Sequence, residues 1–248
     1  MKLLPAYLAY AAALSGLLWR GGIRSAPKHP TAAPSPKPTK VLIVGATGGT
    51  GRELMTQALE RGYLVTALAR NPSAIQLTHG RLRIVKGDVL DYASLESAVQ
   101  GQDAVICALG HKRFFRPTRI LSEGTRNILR AMNTNGVARL VCETALGIGN
   151  SAGRMGLSYT FFVIPVILPF YFWDKTRQER AIAASRADWV VVRPGALTNG
   201  PKRGSYRHGS GIGNFLWTVR ISRADVADFM LNQLTDDTYL QNAPGVAW

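Results

Sequence analysis

Apolar residues in this chain gather into short continuous runs separated by amphipathic stretches. Val41–Val44 is one such run; residues 63–69, 104–109, 139–143 and 188–193 carry comparable runs, and residues 82–86, interrupted by Arg83, read as a further strand. Strands covered by helices on both faces read this way, whereas a half-solvated sheet would alternate apolar with polar. Helical spacing occupies the intervals at residues 92–100, 122–134 and 174–185, and after Gly51, where Leu54, Ala58 and Leu59 share one face. Strand and helix alternate from residue 40 to residue 193. The expected fold is α/β, a doubly wound parallel sheet with right-handed crossovers, in a single domain over residues 40–248.

The first strand runs into Gly45-Ala-Thr47-Gly48-Gly49-Thr50-Gly51 and then a helix. The spacing is Gly-x-x-Gly-x-x-Gly. Gly45 permits the sharp turn, Gly48 lets backbone approach a pyrophosphate, and Gly51 lets helix pack on strand. Free N–H groups at the helix start then hold the anion, with Thr47, Gly49 and Thr50 in the same cradle. A glycine motif between strand and helix predicts a Rossmann-like dinucleotide site.

Ahead of that domain lie two different segments. Residues 3–19 are almost wholly apolar and are about long enough to span a bilayer at the short limit. Residues 1–20 are therefore read as an anchor or targeting segment. Proline-rich residues 21–39 are read as a semi-extended linker. Residues 1–40 carry no acid, the first being Glu53, within a formal net charge of +15. Basic residues after the apolar segment place the domain on the cytoplasmic face of a membrane. Cleavage as an organelle presequence is the alternative. Secretion fits poorly with a nicotinamide cofactor held inside cells. The basic charge suits an anionic cofactor and an anionic membrane surface. No nucleic-acid motif accompanies it, so no nucleic-acid partner is expected. Cys107 and Cys142 fall in apolar runs and are expected to be buried free thiols, and no metal-ligand spacing occurs.

Cofactor choice is read at the end of the second strand. NAD-binding folds place an Asp or Glu there, but this chain has Leu68-Ala69-Arg70-Asn71-Pro72. Arg70 is placed to meet a 2′-phosphate, which predicts NADP(H); a solvated surface arginine is the other reading. Asp88 and Val89 follow the third strand at the adenine edge, where Asp88 could equally serve a turn or helix cap. Leu109 and Gly110 close the fourth strand, where a small residue lets cofactor lie against backbone. His111 follows them and is read as a solvated loop residue.

Together these residues resemble the atypical short-chain dehydrogenase/reductase superfamily, in the NAD(P)H-binding branch that includes flavin reductases of the biliverdin reductase B type and NmrA-like proteins. The resemblance spans residues 40–240. It rests on the glycine turn, Gly87-Asp-Val89, Gly101-Gln-Asp-Ala-Val105, Ser122-Glu-Gly-Thr-Arg-Asn-Ile128, Val192-Arg-Pro-Gly195 and Ile221-Ser-Arg-Ala-Asp-Val-Ala-Asp-Phe-Met230. It implies that Pro194 and Gly195 border the nicotinamide. It also implies a hydroxyl after the fifth strand, matched by Thr144, and Tyr-x-x-x-Lys, matched by Tyr171-Phe-Trp-Asp-Lys175. In that chemistry the tyrosine exchanges a proton with the substrate oxygen, the lysine assists it and holds the ribose, and the hydroxyl orients substrate. Tyr171 also reads as a core or lid aromatic, and Lys175 as a solvated lysine opening its helix. Asp174 would cap that helix, and Glu179 would pair with Lys175 at i, i+4. Arg193 is either site or structure.

Uncharged residues 157–173 contain two prolines and read as a lid or core wall rather than a membrane insertion. The resulting expectation is an NADPH-dependent reductase acting on an apolar small-molecule substrate of flavin, quinone or enone type. The alternative is a non-catalytic NADP(H)-binding sensor or assembly factor. Oligomeric state is left open.

Overall fold

The computed structural model describes residues 3–23, 38–111 and 113–248. Most of the expected proline-rich linker, residues 24–37, lies outside them. Strands β1 (Lys40–Val44), β2 (Leu64–Ala69), β3 (Leu82–Lys86), β4 (Ala104–Cys107), β5 (Arg139–Glu143) and β6 (Asp188–Pro194) follow the apolar runs closely. Three short strands, β7 (Ala196–Thr198), β8 (Arg207–Gly209) and β9 (Arg220–Ser222), precede β10 (Gly245–Ala247). The main sheet has the order β3-β2-β1-β4-β5-β6-β10-β8, while β7 and β9 pair separately. Its strands are parallel except where β8 meets β10. The order reverses between β1 and β4, which leaves a crevice beyond their carboxyl ends.

Six helices accompany them among the described residues: α1 (Leu3–Gly21), α2 (Gly49–Glu60), α3 (Tyr92–Val99), α4 (Ile120–Thr134), α5 (Pro169–Ala183) and α6 (Arg223–Asn232). Alternation along β1 decides how they are shared. Val41 and Ile43 point into a core with Leu54, Ala58, Val226 and Phe229 from α2 and α6. Leu42 and Val44 point into the opposite core with Leu95, Ile128 and Ile182 from α3, α4 and α5. Both layers are closed, as a parallel sheet requires.

Two elements depart from expectation. Pro169 starts α5 at its first turn instead of breaking it, since proline has no N–H for that turn to satisfy. The helix therefore begins five residues before Asp174 and carries Tyr171 and Lys175 together. Upstream, Tyr159–Ile167 forms a π-helical segment containing Pro165.

The second departure is α1. No helix among the described residues is long and apolar enough to cross a membrane, and α1 is instead packed on the domain. Tyr7 donates its hydroxyl to the Phe161 carbonyl, and Tyr10 donates to Pro165 O at 3.1 Å. Leu18 is buried with Ile148, Ile164 and Phe172, and Leu14 packs against them. Gly21–Ile23, expected as linker, are seated too: Arg180 Nε donates to Gly21 O at 2.8 Å. A Cβ on Gly22 would come within 2.6 Å of Gly149 N. Residues 3–21, expected as an anchor or targeting segment, thus form a helix docked on the domain.

Candidate active site

The glycine turn is built as its spacing implies. Gly45 has φ +88°, a left-handed conformation, and a Cβ there would lie 2.4 Å from Ala108 O. A Cβ on Gly51 would lie 2.1 Å from Gly45 O, so only glycine lets α2 sit this close to β1. Gly48 is the N-cap of α2 and is exposed with Gly49. The first N–H groups of a helix have no intrahelical acceptor, so they face this open turn with the helix dipole behind them. The turn therefore fits a diphosphate. Thr47 contributes its carbonyl to Arg52, whose Nη2 donates at 3.1 Å. Thr50 is buried, and its hydroxyl donates to Glu143 Oε1 at 3.2 Å.

Around the turn stand the adenosine-edge candidates. Leu68 of β2 pairs with Val44, so Arg70 lies exposed just past the same sheet edge as Gly45. Asp88 accepts from Leu90 N at 3.0 Å, the turn role foreseen for it. Val89 is buried, and its carbonyl accepts from Asn127 Nδ2 at 2.8 Å. A Cβ on Gly124 would meet the side chains of Val89 and Leu109, so α4 closes tightly on both.

On the other side of the crevice, Lys175 is only 2% exposed. Its Nζ donates to Glu143 O at 2.9 Å and to Leu109 O at 3.3 Å, bridging the ends of β5 and β4. It is neither solvated nor at a helix start, contrary to the alternative reading. Burial works against its charge, but Tyr171, Glu143 and the two nearby thiols outweigh burial, and its pKa is raised. Lys175 stays an ammonium. Its Nζ lies 5.6 Å from the centre of the Tyr171 ring, and the Tyr171 hydroxyl lies over Gly110, 3.6 Å from where a Cβ would stand. The structure thus brings Tyr171, Lys175, Leu109 and Gly110 together at one strand end.

Thr144 is near but engaged. Its hydroxyl donates to Glu179 Oε1 at 2.8 Å. Glu179 does not pair with Lys175; it forms a buried bidentate ion pair with Arg193, at 2.9 Å from Nε and 2.6 Å from Nη2. Lys175 is drawn to carbonyls on the sheet, and Glu179, one turn on, meets the cation on β6. Arg193 also donates to Ile23 O at 3.0 Å, and Ile23 N donates to Glu179 Oε2 at 3.1 Å. Arg193 is therefore structural. Asp174 caps α4 rather than its own helix, accepting from Leu121 N at 2.9 Å and from the Ser122 amide and hydroxyl. Pro194 and Gly195 are buried beside this cluster, with Pro194 O accepting from Leu146 N at 3.0 Å and Gly195 N donating to Val246 O at 3.0 Å.

Three further residues reach the site. Arg223 lies across the turn, so that a Cβ on Gly49 would come within 2.4 Å of its Cδ. Its distance in sequence hid it, although it sits inside the Ile221–Met230 motif. His111 is half-buried, edge-on to Tyr171 at 5.0 Å, and meets Thr118 Oγ1 at 2.9 Å. Burial first, then Lys175 and Arg113, push its pKa below the usual histidine value against the pull of Asp174. Glu143 is buried beneath the turn; burial raises its pKa, opposed by Lys175, the Thr50 hydrogen bond and Arg223.

The sign of that last shift gives a test. A carboxyl with a raised pKa in the folded state binds more protons folded than unfolded, so stability falls as pH rises from about the unfolded value. Glu143→Gln keeps a Thr50 partner without the buried charge. Melting temperatures measured across pH should show the variant gaining on wild type above the carboxylate range, and not below it.

Residues 45–237 match the family described as NAD(P)H-binding. The chain belongs to the NAD(P)H-binding family. Among its relatives is an uncharacterised chloroplastic protein of Arabidopsis thaliana, 30% identical over 177 residues, covering 68% of this chain and 63% of that protein. The chain thus spans less than two thirds of that relative's length. The fold resembles ChuY, an anaerobilin reductase of Escherichia coli O157:H7, with TM-score 0.68, 22% identity and coverage of 84% of this chain and 97% of ChuY. It also resembles a short-chain dehydrogenase/reductase of Veillonella parvula solved with NADP, with TM-score 0.69, 18% identity and coverage of 85% and 95%. The family accords with the expected cofactor class, and the neighbours with the expected Rossmann-like fold.

Proposed function

We propose that this chain is an NADPH-dependent reductase that passes hydride to an apolar or aromatic acceptor of flavin, quinone or enone type. The observation that carries the reading is the placement of Tyr171 and the buried Lys175 beside Gly110, across the crevice from the glycine turn. In this reading the turn and Arg223 hold the diphosphate, and Arg70 meets the 2′-phosphate. Bound NADPH supplies the hydride. Lys175 holds positive charge at the crevice floor, Tyr171 presents a hydroxyl, and the rings of His111 and Phe114, 5.0 and 5.8 Å from that of Tyr171, offer a stacking wall for a flat acceptor. Orientation and exclusion of water are then the protein's main contributions.

A sensor or assembly role is the second reading, and one observation favours it: the Thr144 hydroxyl is already committed to Glu179. The chloroplastic relative is compatible with an organelle location. Cofactor choice is tested by Arg70→Ala, titrated with NADPH and NADH by fluorescence. NADPH affinity should fall about tenfold or more, for one lost charge-assisted contact, with NADH unchanged. Equal losses would show that Arg70 does not read the 2′-phosphate. Oxidation of NADPH by flavin and quinone acceptors then separates reductase from sensor.

A further inference from the structure

We infer that α1, the π-helical segment and the loop at residues 215–217 form one face that docks in the plane of an anionic lipid surface. Surface helices normally turn a charged face to water. Between Lys2 and Arg20 the α1 sequence contains no charged residue, so both its packed side and its open side are apolar. Tyr7, Ala11, Leu14 and Leu18 face the domain, while Leu8 and Leu17 face outward, Leu17 being 64% exposed.

Direct contacts extend that outer side into a patch. Tyr7 and Tyr10 tie α1 to the π-helical segment, from which Phe162 and Val166 project. Phe161 stacks edge-on against Phe215 at 6.5 Å, and Leu157 N donates to Leu216 O at 3.4 Å. Trp217, beside them, is 73% exposed. Large apolar side chains contiguous over three elements mark an interaction surface.

Charge identifies the occupant. Residues 3–23, 144–173 and 189–224, which build the face and its surroundings, contain no Asp or Glu. The carboxylates that follow on α5, Asp174 and Glu179, are buried in the α4 cap and the Arg193 pair. Arg20 in the last turn of α1 and Arg220, three residues after Trp217, are exposed, and Arg177 lies over the Trp173 ring at 4.8 Å. An apolar face with arginines around it and no acid suits anionic headgroups, with aromatic rings at the interface. The helix lies on the surface rather than crossing it.

The test is co-sedimentation of the full chain with vesicles of phosphatidylglycerol and phosphatidylcholine, and with phosphatidylcholine alone. Wild type should pellet with the anionic vesicles, at least about tenfold more weakly with the neutral ones, and less at raised ionic strength. Leu17→Ser, Phe162→Ser and Trp217→Ser combined should abolish pelleting while NADPH affinity and melting temperature stay at wild-type values. Three results would overturn the inference: no pelleting of wild type, undiminished pelleting of the triple variant, or equal binding to both vesicles. Dimerisation of wild type without pelleting would assign the face to a second copy instead. Lipid binding is read independently of turnover, so a chain inactive toward every acceptor leaves this result intact.

Discussion

Gly48→Val should lower NADPH affinity by about 100-fold or more while leaving the fold in place. Gly48 is exposed at the helix N-cap with φ −73°, a conformation valine adopts, and its Cβ would stand 3.2 Å from Gly45 O. The backbone can absorb that contact. The diphosphate cannot, because the branched side chain occupies the space it must enter to reach the first N–H groups of α2. Each charge-assisted hydrogen bond lost costs roughly 1.5–3 kcal/mol, and one or two give the expected factor. Gly51→Val is the contrast. Its Cβ would lie 2.1 Å from Gly45 O and 2.8 Å from Ala46 Cα, so α2 could not pack and the protein should fail to fold. Titration and melting of the two variants separate binding from packing. Normal NADPH affinity in Gly48→Val would mean that the diphosphate does not bind at this turn.

Removing residues 1–23 should cost at least about 3 kcal/mol of stability. Ile23 supplies one donor to Glu179 and one acceptor to Arg193, in an ion pair whose side chains are 0% and 1% exposed. A polar partner withdrawn from a buried charge costs about 1–3 kcal/mol or more. Exposing the Leu18 contacts with Ile148, Ile164 and Phe172 adds about 1.5–3 kcal/mol. Thr144 shares the same Glu179, so the loss reaches the candidate active site. Urea unfolding of the full chain against one beginning at Arg24 measures the difference. Equal midpoints would show that α1 is not integral to the domain.

Much of the fold was legible because parallel strands buried on both faces leave uninterrupted apolar runs, and the glycine turn ties the first of them to its helix. Cradle and strand-end candidates were legible for the same reason: their positions follow from strand ends. What escaped depends on contacts between distant segments. A uniformly apolar stretch such as residues 3–19 reads alike whether it enters lipid or lies on a protein, and the partners of Tyr7, Tyr10 and Leu18 lie too far along the chain to be read from it. Lys175 and Glu179 stand one helical turn apart, yet each finds a stronger partner off the helix, in backbone carbonyls and in Arg193. Pro165 and Pro169 argued against a straight spanning helix, yet Pro169 supplies the start of α5. Arg223 lies 174 positions after Gly49 in the numbering, and no local pattern joins them.

The most direct measurement is NADPH oxidation by the full chain with flavin and quinone acceptors, comparing wild type with Lys175→Met at equal NADPH occupancy. Methionine keeps the unbranched stem of the side chain to within one atom and removes its charge. Turnover by wild type, reduced about 100-fold or more in the variant with NADPH still bound, is the predicted result for a reductase whose site is organised by Lys175. Tight NADPH binding by wild type with no oxidation by any acceptor would contradict it and make the chain a cofactor-binding sensor.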